Sequence, residues 1–307
     1  MTERAPTTVT VDRDIPFHEA AGETLLLDVY DSTASSGPKP VAVLVRGGGF
    51  TVGDKGEFAR HAIDLAEDGY LVVEPQYRLA PDHTFPAALV DVKAAIEWCR
   101  AEADAYGADP RRVVAVGHSA GANLVTLAAA TADDPAFEPD LYPGASSELS
   151  AVVGYSGVYD FRAMAETDDA GDADIYRQYL GGGPEEVPEA YELASPVAQA
   201  TVSTPPALLL HAEDDEVFSP AQSELLARTL DPLTTVAYEP VPGGHGFPFA
   251  GAFYDDVYDR TAAFLQRHVG VTDDPMGVHD GPPLDEGRGP GKPPGRGPTS
   301  GPDDPRF

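Results

Sequence analysis

The chain has 307 residues, 42% of them hydrophobic, and a formal net charge of -31, with four lysines against sixteen arginines. That length fits one large α/β domain or two small ones, and the charge repels nucleic acid and anionic membrane surfaces, so neither is expected as a partner. No run approaches the roughly 18 apolar residues of a spanning helix, the single cysteine, Cys99, cannot form an intramolecular disulfide, and the eight histidines show no paired spacing of a zinc site, so no metal and no cofactor is expected.

In chain order, "TTVTVDRDI" and "ETLLLDVYD" alternate like antiparallel strands at one edge of a sheet. Five short apolar runs follow: "VAVLV" at 41–45, "YLVVE" at 70–74, "RVVAVG" at 112–117, "AVVGYSG" at 151–157 and "PALLLHA" at 206–212. Continuous apolar runs suit strands buried on both faces. Residues 57–68, 86–105, 119–131 and 219–230 carry helix-period apolar positions between these runs, with Pro86 in a first turn and Gly69 after a last one. The alternation predicts a mostly parallel sheet covered by helices. From about 160 to 195 the pattern breaks into helical pieces without a strand, an insertion that can form a small cap over a site. A domain over 1–270 is therefore expected, followed by a Gly/Pro-rich tail at 271–307 whose composition predicts disorder. Residues 1–10 lack the apolar stretch of a secretory leader, and a cytoplasmic location is expected. The lysine-poor acid excess is similar to the surfaces of proteins from salt-loving organisms, where ionic strength screens the self-repulsion.

Ser119 lies in G-x-S-x-G, formed by Gly117, His118, Ser119, Ala120 and Gly121, after one expected strand and before one expected helix. A sharp strand-to-helix turn there exposes the serine as a nucleophile, and the glycines remove Cβ atoms that would collide. "GYSGV" at 154–158 lacks the final glycine, so Ser156 is read as the end of a strand. A serine nucleophile needs a base, an acid that orients the base, and oxyanion donors.

His245 in "VPGGHGF" follows the strand pattern "TTVAYEPV" in a glycine-rich loop and is the candidate base. His118 is read as shaping the turn, His211 as core and His83 as loop packing. The acid is sought after the strand that ends at His211, where Asp215 is preferred because the D-x-V step returns Val217 to the fold; Asp214 is the alternative. Oxyanion donors are expected from the N–H of Ala120 and from the loop that opens after Val45, where Gly47, Gly48 and Gly49 let backbone approach a ligand. A phosphate loop is excluded, since neither G-x-G-x-x-G nor a G-K-S/T ending is present.

Five stretches in this order, "RGGGF", "YRLAPDHTFPAALVDV", "GHSAG", "HAEDDEV" and "GGHGF", resemble those of α/β-hydrolases of the esterase and lipase kind. The resemblance covers about residues 20–268 and lies near the hormone-sensitive-lipase-like and carbohydrate-esterase (BD-FAE)-like branches. It implies the α/β-hydrolase fold, a triad of Ser119, Asp215 and His245, oxyanion donors at Gly48, Gly49 and Ala120, and cleavage of a small-molecule carboxylic ester, with short acyl or acetyl groups expected. An arylformamidase acting on N-formylkynurenine and a non-catalytic binding protein on the same scaffold are the alternatives. One departure stands in the glycine loop: the family's histidine is Arg46 here. Either its guanidinium anchors the loop or it enters the pocket and binds an anionic substrate group.

Overall fold

The computed structural model describes residues 7–35, 37–132, 134–139, 141–166 and 173–270. The tail expected at 271–307 lies outside them, as do six residues of the expected cap. Eight strands form one sheet: β1 (Val9–Ala20), β2 (Glu23–Ser32), β3 (Lys39–Val45), β4 (Leu71–Pro75), β5 (Ala108–His118), β6 (Ala151–Tyr155), β7 (Ala207–Ala212) and β8 (Val236–Val241). Their order is β1-β2-β4-β3-β5-β6-β7-β8. The β1–β2 and β2–β4 pairs are antiparallel and every later pair is parallel.

Successive side chains of a strand point to opposite faces, and here both faces are covered. Val41, Val43 and Val45 of β3 pack with Leu89, Val92 and Ile96 on one side. Ala42 and Leu44 pack with Ala62, Leu65 and Leu265 on the other. That two-sided burial is why the central strands read as unbroken apolar runs rather than as alternating ones. Helices α1 (Ala59–Glu67) and α10 (Tyr254–Val269) lie on the second face; α2 (Ala87–Ala101), α3 (Ala103–Tyr106), α4 (Ala120–Ala130) and α9 (Ala221–Leu230) contribute to the first. The helix expected over 86–105 is two pieces, and Gly107, in a left-handed conformation, ends the second. Between β6 and β7 the described residues form four short helices, α5 (Phe161–Glu166), α6 (Ala173–Leu180), α7 (Pro188–Leu193) and α8 (Pro196–Gln199). Phe50, beyond the end of β3, stacks on Tyr179 of α6 at 3.7 Å between ring centroids, so this insertion is tied to the glycine loop. No helix among the described residues is long and apolar enough to cross a membrane.

Candidate active site

The β5-to-α4 turn places Ser119 between the last strand residue, His118, and the first helical residue, Ala120. Its φ of 56° and ψ of -120° are strained for a residue with a side chain. The neighbouring backbone enforces them: the Ser119 N–H donates to Tyr155 O at 2.8 Å. A Cβ on Gly117 would lie 2.3 Å from Gly121 O, and one on Gly121 would lie 2.0 Å from Val45 O. Both glycines of the pentapeptide are therefore required by contact distance.

His245 sits between β8 and a 3₁₀ turn at Phe247–Phe249. Its Nε2 is 2.9 Å from Ser119 Oγ, and its Nδ1 is 3.0 Å from each carboxylate oxygen of Asp215. A carboxylate on Nδ1 keeps the ring proton there and leaves Nε2 free to accept one from the serine. The Asp215 side chain is fully buried in the loop after β7 and accepts the N–H groups of Val217 and Phe218 at 2.9 Å. Burial opposes its charge, but hydrogen bonds from His211, His245, Ser156 and the Phe218 N–H outweigh that and hold it far below the ordinary carboxylate range. Asp214 is exposed one residue earlier.

Asp215 is thus brought to His245, but the reason expected for it fails. Val217 does not return to the fold; it is 37% exposed, and Phe218, 2% exposed, is the residue that turns inward. Other readings are extended. His211 is core, as expected, yet its Nε2 also lies 3.3 Å from Asp215 Oδ2, beside Phe218 O at 3.0 Å. Two acceptors at Nε2 put the proton on that nitrogen, and Nδ1 then takes the Ser223 hydroxyl at 2.7 Å. Ser156 does more than end a strand: it has a φ of 45°, is fully buried, accepts the Ala212 N–H and hydrogen bonds to Asp215.

Gly48 and Gly49 line the same cleft as Ser119, and the N–H groups of Gly48, Gly49 and Ala120 donate to no described residue. Gly48 has a φ of 102°, and a Cβ on it would meet Val52 O at 2.1 Å. Arg46 is buried beneath this loop, away from the cleft. Its Nη1 donates to Gly47 O (2.8 Å), Val52 O (2.7 Å) and the Tyr77 hydroxyl (3.1 Å), while the guanidinium lies 4.2 Å from the Tyr77 ring centroid. Of the two roles open to Arg46, the geometry matches the anchor.

The cleft measures about 520 Å³ and is walled by the glycine loop, by Ile175 and Tyr176 of α6, and by Val217, Phe218 and Phe249. His118 does not merely shape the turn. Its Nδ1 is 3.0 Å from Glu57 Oε1 and its Nε2 is 3.0 Å from His245 O, so it links the glycine-loop side to the histidine loop. Among the described residues no group of His, Cys, Asp and Glu is arranged to hold a metal ion.

A mostly parallel sheet with a serine on the tight turn between a central strand and a buried helix, facing a histidine and a carboxylate from later loops, defines the α/β-hydrolase fold. Within it the chain belongs to the BD-FAE family, whose model matches residues 27–230. Among curated relatives, Esterase LipC of Mycobacterium tuberculosis (strain ATCC 25618 / H37Rv) is 33% identical over 79% of this chain and 62% of the relative. Esterase LipQ of the same organism is 32% identical over 76% of this chain and 56% of the relative. The chain therefore spans less than two thirds of the length of these relatives. Among solved structures, a bifunctional GH43-CE protein of Bacteroides eggerthii superposes with a TM-score of 0.73 at 26% identity, covering 85% of this chain and 38% of that one. The butyrate-bound thermophilic esterase Est2 of Thermogutta terrifontis has a TM-score of 0.71 at 21% identity, over 86% and 96% of the two chains, a likeness of fold.

Proposed function

We propose that this protein is a serine hydrolase that cleaves carboxylic esters of short acyl groups through an acyl-enzyme. The observation that carries the reading is the Ser119–His245–Asp215 chain, at 2.9 and 3.0 Å, on a strained turn beside three backbone N–H groups that donate to no described residue. His245 Nε2 takes the Ser119 proton as Oγ attacks the ester carbonyl, and the N–H groups of Gly48, Gly49 and Ala120 receive the developing oxyanion. His245 then delivers the proton to the departing alcohol, and water repeats the sequence to release the acid. Asp215 holds the tautomer and balances the imidazolium. The esterase names carried by LipC and LipQ support the reaction class.

The test is turnover of p-nitrophenyl esters from C2 to C12 and of acetylated sugars, beside N-formylkynurenine, together with labelling by a fluorophosphonate probe. Ser119→Ala is expected to lose labelling and about 10⁴-fold or more of kcat. Asp215→Asn is expected to approach that loss while Asp214→Asn stays near wild type. Absence of labelling in the folded wild-type protein would return the binding-protein alternative, and faster turnover of the formamide than of any ester would replace the substrate class.

A further inference from the structure

Among the described residues Glu57 is the one Asp or Glu side chain lining the cleft beside Ser119, and no described lysine or arginine lines it. It comes from the loop between β3 and α1, with its side chain 30% exposed. The two oxygens are used unequally. Oε1 accepts the Gly47 N–H at 3.3 Å and faces His118 Nδ1 at 3.0 Å, whereas Oε2 receives no hydrogen bond from any described residue. Burial favours the neutral acid, but the hydrogen bond and charge of His118, the Gly47 N–H and the Arg46 charge together hold Glu57 below the usual carboxylate range. The result is an ionised carboxylate with one oxygen fixed by the fold and the other left open.

The side of the cleft is also defined. The departing alcohol takes its proton from His245 Nε2, and Glu57 is joined to the His245 loop through His118, whose ring centroid lies 4.9 Å from that of His245. Resting on the ester-hydrolase reading above, we propose that Glu57 Oε2 is a recognition site for a hydrogen-bond donor, a hydroxyl or an ammonium, carried by the alcohol part of the ester, and that the same carboxylate turns anionic esters away. A rigid acceptor whose other oxygen is already committed loses little freedom on binding such a donor. An anionic alcohol group would meet Glu57 in a cleft whose described lining has no lysine or arginine to offset it.

Four acetates of similar size test this: 2-hydroxyethyl acetate, 2-(dimethylamino)ethyl acetate in its protonated form, 2-methoxyethyl acetate, and acetoxyacetate. Each kcat/KM is read as a ratio to that of the methoxy ester, so a general change in turnover cancels. Wild type is expected to prefer one or both donor esters by about tenfold or more, the scale of a hydrogen bond to a charged group, and to disfavour acetoxyacetate. The donor ester that carries the preference identifies hydroxyl or ammonium as its source. Glu57→Gln keeps an acceptor at Oε1 and removes the charge; it is expected to bring the ammonium ratio and the acetoxyacetate ratio toward one. Wild-type ratios all within about twofold of one, or ratios unchanged in the variant, overturn the proposal. The wild-type ratios decide it alone if the variant does not fold. Failure of wild type to hydrolyse even the methoxy ester overturns the esterase reading instead, and this one with it.

Discussion

Arg46→Ala separates loop anchoring from substrate binding. The substitution removes three hydrogen bonds from Nη1 and a cation–π contact at 4.2 Å. Gly47 O keeps the Tyr77 hydroxyl at 2.8 Å, but Val52 O loses its described donor. Burial pushes the Tyr77 hydroxyl up to about 12, so it stays a donor throughout the working range. An acceptor left unpaired costs about 1–3 kcal/mol, and a buried cation–π contact about 1–2. A loss of about 3 kcal/mol follows, which for a domain of this size lowers Tm by roughly 6–12 °C. In the proposed mechanism the loop that loosens carries two oxyanion donors, the N–H groups of Gly48 and Gly49, so kcat of p-nitrophenyl acetate should fall by up to about 10²-fold while KM moves little. Tyr77→Phe, which leaves Arg46 on both carbonyls, should produce the same pattern at smaller size. Melting curves and steady-state kinetics on the same preparations read both effects. An unchanged kcat with KM raised only for anionic esters would refute the anchor.

Gly121→Ala should fail to give a stable fold, because its Cβ would sit 2.0 Å from Val45 O and 2.4 Å from Arg46 O; Gly246→Ala, with open space around the added carbon, should melt near wild type, and equal melting temperatures would deny the crowding. Burial, then the hydrogen bond and charge of Glu138, push Glu97 up to about 8 from 4.5. The native state therefore binds a proton there that the unfolded chain releases, so this group's stabilisation is complete below pH 4.5 and is lost as pH rises to about 8. Urea unfolding of Glu97→Gln should lose less stability than wild type between pH 5.5 and 8, and parallel curves would refute the assignment. With a net charge of -31, carboxylate repulsion should relax as molar KCl shrinks the Debye length to about 3 Å, raising Tm; a flat response would make the acidic surface incidental.

What the sequence discloses about the site depends on how far along the chain the cause lies. The pentapeptide around Ser119 is legible because its constraint is local: the strand enters, the helix leaves, and Gly117 and Gly121 stand where backbone passes within 2.3 Å of a missing Cβ. His245 is legible through its glycines for a similar reason. Asp215 is less legible: the D-x-V spacing points to Val217 as the residue that turns inward, and in the structure it is Phe218. Ser156, His211 and Glu57 carry no local signature. Parallel pairing of Tyr155 with Leu210 is what sets Ser156 next to the end of β7 and so next to Asp215. Their signal in the sequence is positional, because groups just past the carboxyl ends of parallel strands face the crevice where ligands bind. Ser119, Ser156 and Asp215 all follow such ends. Glu57 also lies beyond such an end, that of β3, but late in its loop, after the chain has passed Gly48 and Gly49. The same separation governs charge. Fifty-one acidic residues set the chain's net charge, yet among the described residues a single one of them lines the cleft, so the total is a poor guide to the field inside it. The groups that act there at short range, Glu57 with His118 and Asp215 with His245, come from distant stretches of sequence, and only the fold brings them together.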